Sequence, residues 1–113
     1  MVIILTTVNS EDQSNMISKG LIDKKLAFCV KAIQNIKSTY YWKNKIVSDN
    51  EIIIIIKTFS NNIDKVKDYL LKKHNYETPE IILVKSKSLN DEYTKWANNQ
   101  VDWIFKMPIT YIM

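Results

Sequence analysis

The stretch that most constrains this chain is residues 51–58, EIIIIIKT. Its five consecutive isoleucines, Ile52 through Ile56, are β-branched and stiff at χ1, which favours an extended strand. The run is far too short to cross a bilayer. Alternation along a strand sends Ile52, Ile54 and Ile56 to one face and Ile53 and Ile55 to the other. The strand is therefore apolar on both faces. Helices of the same chain can cover one of them, and the cover of the second face bears directly on function.

The flanking elements follow from local signals. Val2–Val8 reads as a short apolar strand. Ser10 with Gln13 three residues on is a capping box, and Glu11 and Asp12 suit the positive end of the helix that it opens. Met16, Ile17, Gly20 and Leu21 share one helical stripe, with Lys24 and Lys25 closing the helix. Gly20, costly in a helix interior by about 1 kcal/mol against Ala, predicts close packing of helix on sheet. Residues 26–42 read as a long second strand. Lys43-Asn44-Lys45 is a polar turn back into the isoleucine strand. The resulting hairpin exceeds the usual strand length of about 5–6 residues and carries Tyr40, Tyr41 and Trp42 near its tip.

Ser60, Asn61 and Asn62 offer N-caps for a second helix with the stripe Ile63, Val66 and Leu70. Pro79 biases the chain after His74 to a loop, and residues 81–84 form another strand apolar on both faces. Ser88 with Asp91 is a second capping box, opening a helix striped by Leu89, Tyr93, Trp96, Ala97 and Val101. The tail, residues 103–113, is apolar and is expected to dock on its own sheet or a neighbour's.

The order strand, helix, strand, strand, helix, strand predicts an α+β, ferredoxin-like split βαβ sandwich (βαββαβ) with an additional C-terminal helix and apolar tail, as a single domain over residues 1–113. Both helices of that arrangement lie on one face of the sheet. A bare apolar sheet face exceeds what monomers expose, so an oligomer packed sheet on sheet, cyclic in symmetry, is expected.

Charge narrows the partners. The net charge is +4, yet all 16 basic residues are Lys, and eleven Asn accompany them. Arg is the better bidentate reader of phosphate and guanine, so nucleic acid is not the expected partner. No apolar run reaches membrane-spanning length. The lone Cys29 excludes an intramolecular disulfide framework, and with no signal-peptide pattern the expected compartment is the reducing cytosol. No nucleophile elbow, Gly-rich phosphate loop or zinc-protease signature is present, so the chain reads as non-enzymatic.

Five segments in order carry a resemblance. They are Leu26-Ala27-Phe28-Cys29-Val30, Ser38-Thr39-Tyr40-Tyr41-Trp42-Lys43-Asn44-Lys45, Ile56-Lys57-Thr58, His74-Asn75-Tyr76-Glu77-Thr78-Pro79-Glu80-Ile81 and Tyr93-Thr94-Lys95-Trp96. With that order and spacing the chain resembles the CutA divalent-cation tolerance proteins over about residues 5–101. The resemblance implies a ferredoxin-like fold, a homotrimer with sheets packed around a threefold axis, and a role in tolerance to copper and other divalent cations. The chain departs from the family pattern at Asn75, usually Pro, and at Asn44, usually Gly. It also departs at Phe28, often Ala, and at Thr6 and Lys73, where some members carry Cys and His.

Those departures leave His74 as the chief ligand candidate for Cu(II) or another divalent cation, with Cys29 as a second; no cofactor is required. Cys29 also reads as a small buried hydrophobe, and His74 as a cap on helix carbonyls. Tyr40, Trp42, Tyr76 and Trp96 are candidates for an intersubunit cleft or for interface core. Lys57 is expected to pair with Glu77 or Glu80 at a subunit boundary, or to hold an anion. Two alternatives stand beside metal tolerance: a trimer resembling PII signal proteins that binds a small ligand between subunits, and a scaffold that binds another protein through the tail.

Overall fold

The structure is a computed structural model, and it describes residues 1–101. The docking expected for residues 103–113 lies outside the described residues. The elements run β1 (Val2–Val8), α1 (Glu11–Asp23), β2 (Cys29–Trp42), β3 (Lys45–Thr58), α2 (Ile63–Lys73), β4 (Ile82–Lys85) and α3 (Asp91–Gln100), with a 3-10 turn Ser60–Asn62 leading into α2. The four strands form one antiparallel sheet in the order β2-β3-β1-β4. This is the expected split βαβ arrangement followed by a helix.

The isoleucine run behaves as its alternation requires. Ile52, Ile54 and Ile56 are buried, as are Val2, Ile4, Thr6 and Val8 on β1. Ile4, Val8, Ile52, Ile54 and Ile56 pack against Ile17 and Leu21 of α1 and Val66 and Leu70 of α2. Each such side chain contributes about 1.5–3 kcal/mol by leaving water. The odd-numbered residues Ile3, Leu5, Ile53 and Ile55 lie on the opposite face and are only half-buried.

Residues 45–51 of β3 run on past the end of β1, because Val8 pairs with Ile52 and nothing of β1 lies beyond it. The hairpin overhang is therefore about 23 Å of two-stranded ribbon. Lys43 and Asn44 take positive φ (51° and 64°), the left-handed pair that a tight two-residue hairpin turn demands.

Several expected boundaries shift. The second strand starts at Cys29 rather than residue 26, since Leu26 and Ala27 are spent on the buried turn after α1. A bulge between Ile33 and Ile36, with Asn35 at φ 58°, resets the register. Consequently Ile36, Ser38, Tyr40 and Trp42 face the side opposite Val30 and Ala32. Ser10 caps α1 as expected, its Oγ accepting from the Gln13 amide at 3.2 Å. The Gln13 side chain does not close the box; it accepts from the Asn75 amide at 2.7 Å and ties α1 to the loop after α2.

Met16 leaves the α1 stripe and is 44% exposed, its place being taken by buried Ser14. Gly20 makes room for α2 and not for the sheet: a Cβ there would lie 1.7 Å from the Tyr69 hydroxyl. Asn62 precedes α2, but its side chain makes no capping bond and donates instead to the Leu26 carbonyl at 3.4 Å. The cap of α3 is Asn90, whose Oδ1 accepts from the amides of Glu92 and Tyr93, while Ser88 bonds the Asn90 backbone. Leu89 consequently stands outside the helix, 94% exposed.

Candidate functional site

The sequence-derived residues separate into two groups at opposite ends of the open sheet face. Cys29, Lys57 and Trp96 gather at one end. Cys29 and Lys57 are register partners across β2 and β3, which places both side chains on the open face. There α3 turns across the end of the sheet. Phe28, Ala97 and Val101 form a small second core with Met1, Cys29, Phe59 and Tyr93 packed against it. Phe28 meets Phe59, Tyr93 and Trp96 with ring centroids 5.4, 6.0 and 6.1 Å apart.

Lys57 donates to the Tyr93 hydroxyl at 3.1 Å, and its ammonium lies 5.2 Å from the centre of that ring. Tyr93 is a partner that the candidate residues did not include. The sequence hints were its place on the α3 stripe and in the segment Tyr93-Thr94-Lys95-Trp96; neither points to Lys57, which lies 36 residues away.

His74, Tyr76 and Glu80 gather near the other end. His74 ends α2, and its ring is buried. Its Nε2 is 2.8 Å from the Thr7 carbonyl, and its Nδ1 is 3.0 Å from the Tyr76 amide. An amide can only donate and a carbonyl only accept, so Nε2 carries the hydrogen and Nδ1 is the acceptor. Both nitrogens are thus engaged. The Tyr76 ring packs against the imidazole at a tilt of 46°, with centroids 4.7 Å apart. Its hydroxyl donates to Glu51 Oε2 at 2.6 Å. Burial, followed by that bond and the Glu51 charge, pushes the Tyr76 phenol well above its ordinary range.

The Tyr40 hydroxyl donates to the neighbouring Asp49 carboxylate, which raises its pKa as well. Glu80 accepts from Thr7 Oγ1 at 3.4 Å, and Glu77 is exposed. Trp42, 58% exposed, stands beside the hairpin turn with Lys45 opposite it.

Cys29 and His74 therefore do not converge within one chain. Their β1 neighbours, Ile3 and Thr7, are about 13 Å apart along the strand. Lys57 is likewise separated from Glu80, which sits at the Thr7 end. Among the described residues, no group of three or more His, Cys, Asp or Glu is arranged to hold a metal ion. A shallow groove of about 580 Å³ between α1 and Val30 includes none of the candidate residues. No helix among the described residues is long and apolar enough to cross a membrane.

A four-stranded antiparallel sheet with both long helices on one side, a half-bare apolar face on the other, and a hairpin projecting beyond it defines a ferredoxin-like α+β protein. Within that class the match is specific. The family model of the CutA1 divalent ion tolerance protein matches residues 2–100, and this chain belongs to that family.

The divalent-cation tolerance protein CutA of Thermus thermophilus is 33% identical over 94 residues, which cover 83% of this chain and 91% of that one. A chloroplastic CutA 1 of Oryza sativa is 31% identical over 87% of this chain, which spans 55% of the plant protein's length. The solved structure of a periplasmic divalent cation tolerance protein CutA from Archaeoglobus fulgidus superposes with a TM-score of 0.85 at 33% identity, covering 90% of this chain and 100% of that one.

Proposed function

We propose that this protein is a non-enzymatic divalent-cation tolerance protein that works as a homotrimer, three copies packing their open sheet faces on one another. The observation that carries the reading is the open face itself. Ile3, Leu5, Ile53 and Ile55 are half-buried there, and Ile82 and Val84 on the β4 edge are 45% and 41% exposed. A contiguous apolar face of this kind marks an association surface, and closed cyclic assembly is the usual solution for identical chains. The relatives named for divalent-cation tolerance supply the physiological role.

In this reading copper(II) contacts the protein weakly, through His74. The retained Nε2–H···O=C bond to Thr7 is the outer-shell arrangement that a ligating imidazole uses. The metal reaches Nδ1 only after the Tyr76 amide lets go. Orphaning that donor costs about 1–3 kcal/mol, which weakens affinity about five- to 150-fold. Cys29 remains a packing residue beside Lys57, whose positive charge disfavours a cation there. No cofactor is needed for the fold, and the working compartment is the cytosol; relatives carry chloroplastic and periplasmic names, so compartment varies within the family.

The test is growth of a bacterial strain lacking its own CutA under graded Cu(II), with this chain or its His74→Ala variant supplied in trans. Restored tolerance with the wild-type chain supports the function, and restoration by neither sinks it. Equal restoration by both removes His74 from the role.

A further inference from the structure

The open face is electrically polar along the strand direction. Cross-strand partners share a face, so the pairing register orders the rows. Lys57 stands with Cys29 and Ile3; Lys31 with Ile55 and Leu5; Ile33 with Ile53 and Thr7; Ile36 with Glu51; Ser38 with Asp49. Glu80 joins the acidic side through Thr7 Oγ1. Two lysines thus mark one end and the carboxylates Asp49 and Glu51 the other, with an apolar belt between; Lys45, paired with Trp42, stands beyond the carboxylates at the hairpin tip. From Lys57 to Glu51 is six residues of β3, about 20 Å.

We infer that copies associate head to tail, the Lys31–Lys57 end of one face lying against the Asp49–Glu51 end of the next copy. This names the contact within the trimer proposed above and rests on it. In a threefold ring every interface is heterologous, joining two different patches of the same chain. The open face supplies two such patches of opposite sign. Apposing like ends would instead place lysine on lysine and carboxylate on carboxylate, a repulsion that disfavours the wrong register.

Two further observations point the same way. Lys57 is half-buried on an apolar face, with the Tyr93 hydroxyl and ring as neighbours and no carboxylate partner among the described residues. Covering that face removes water from the ammonium, which demands a counter-charge from the covering molecule. Glu51 is also half-buried and, among the described residues, accepts one side-chain bond, from Tyr76, leaving carboxylate lone pairs for a cation. Its place on the overhang, beyond the end of β1, sets it where a neighbouring copy can reach it.

The experiment is sedimentation of dilution series of the full chain as wild type, Lys57→Glu, Glu51→Lys and the double variant. Each single variant is expected to raise the trimer dissociation concentration about tenfold or more, with the double variant recovering most of that loss. Raised salt should weaken the wild type and the double variant alike. Should Lys57→Glu fail to fold through loss of its Tyr93 contact, Lys31→Glu combined with Glu51→Lys carries the same test from an exposed position. A trimeric wild type whose single variants are unchanged, or whose double variant is no better than the worse single, overturns the pairing alone. A wild type of monomer or dimer mass overturns the trimer and the pairing with it.

Discussion

His74 Nε2 lies 2.8 Å from the backbone carbonyl of Thr7, a bond that joins the end of α2 to β1 across 67 residues of sequence. With Nδ1 accepting the Tyr76 amide, one buried ring satisfies two backbone groups at the junction of sheet, helix and loop. His74→Ala orphans both. We expect it to lower stability by about 1–3 kcal/mol while the subunit association persists. Urea denaturation with a parallel mass measurement checks this; an unchanged midpoint would mean that water replaces the ring at no cost.

Tyr76 links this junction to the hairpin through Glu51, and its phenol titrates above the ordinary value of 10.0. The sign follows from linkage. Above about pH 10 the unfolded chain loses the proton while the folded chain keeps it, so the unfolded state binds fewer protons and stability falls as pH rises. Below pH 10 the contribution is fully present. Tyr76→Phe removes this term, so its stability should decline less steeply than the wild type's between about pH 10 and 12. Parallel slopes in denaturation series across that range would contradict the raised phenol, whose first cause is burial and second the bond to Glu51.

Gly20 faces the Tyr69 hydroxyl so closely that an added methyl cannot be seated without moving the ring. Gly20→Ala gains helix propensity of about 1 kcal/mol yet should still destabilise, by about 1–2 kcal/mol net. In a Tyr69→Leu background the same substitution should become neutral or stabilising. A double-mutant cycle by thermal denaturation measures the coupling, and additivity of the two changes would show that the helices adjust freely.

Thr6 is fully buried beneath the helices, and its hydroxyl has no hydrogen-bond partner among the described residues. Thr6→Val keeps the shape and removes the unsatisfied group, so a gain of about 1 kcal/mol is expected. Calorimetry reads it as a higher Tm; a lower one would reveal a partner for the hydroxyl.

Where local geometry decides the outcome, the sequence is a good guide. The two faces of the isoleucine run, the order of the elements and the Ser10 cap all follow from alternation and short-range bonding. The bulge at Gln34 and Asn35 had no comparable signal, since Asn35 is one of eleven Asn and extended chain reads the same with or without it. Ser88 and Asn90 are both good caps two residues apart; Asn90 takes the role, and the helix it opens packs Ala97 and Val101 against Phe28, a contact that local sequence does not announce. The roles of His74 and Lys57 were less legible because their partners, Thr7 and Tyr93, are distant in sequence. One of those partners is a backbone carbonyl, which no residue type announces.

Trimer formation depends on what covers the face lined by Ile3, Leu5, Ile53 and Ile55. The direct measurement is the molar mass of the full chain in solution by light scattering, with and without Cu(II). We predict about 40 kDa in both conditions, three copies of the 13.3 kDa chain. A mass near that of one chain would contradict the account, because the open face would then stand in water without a second copy to cover it.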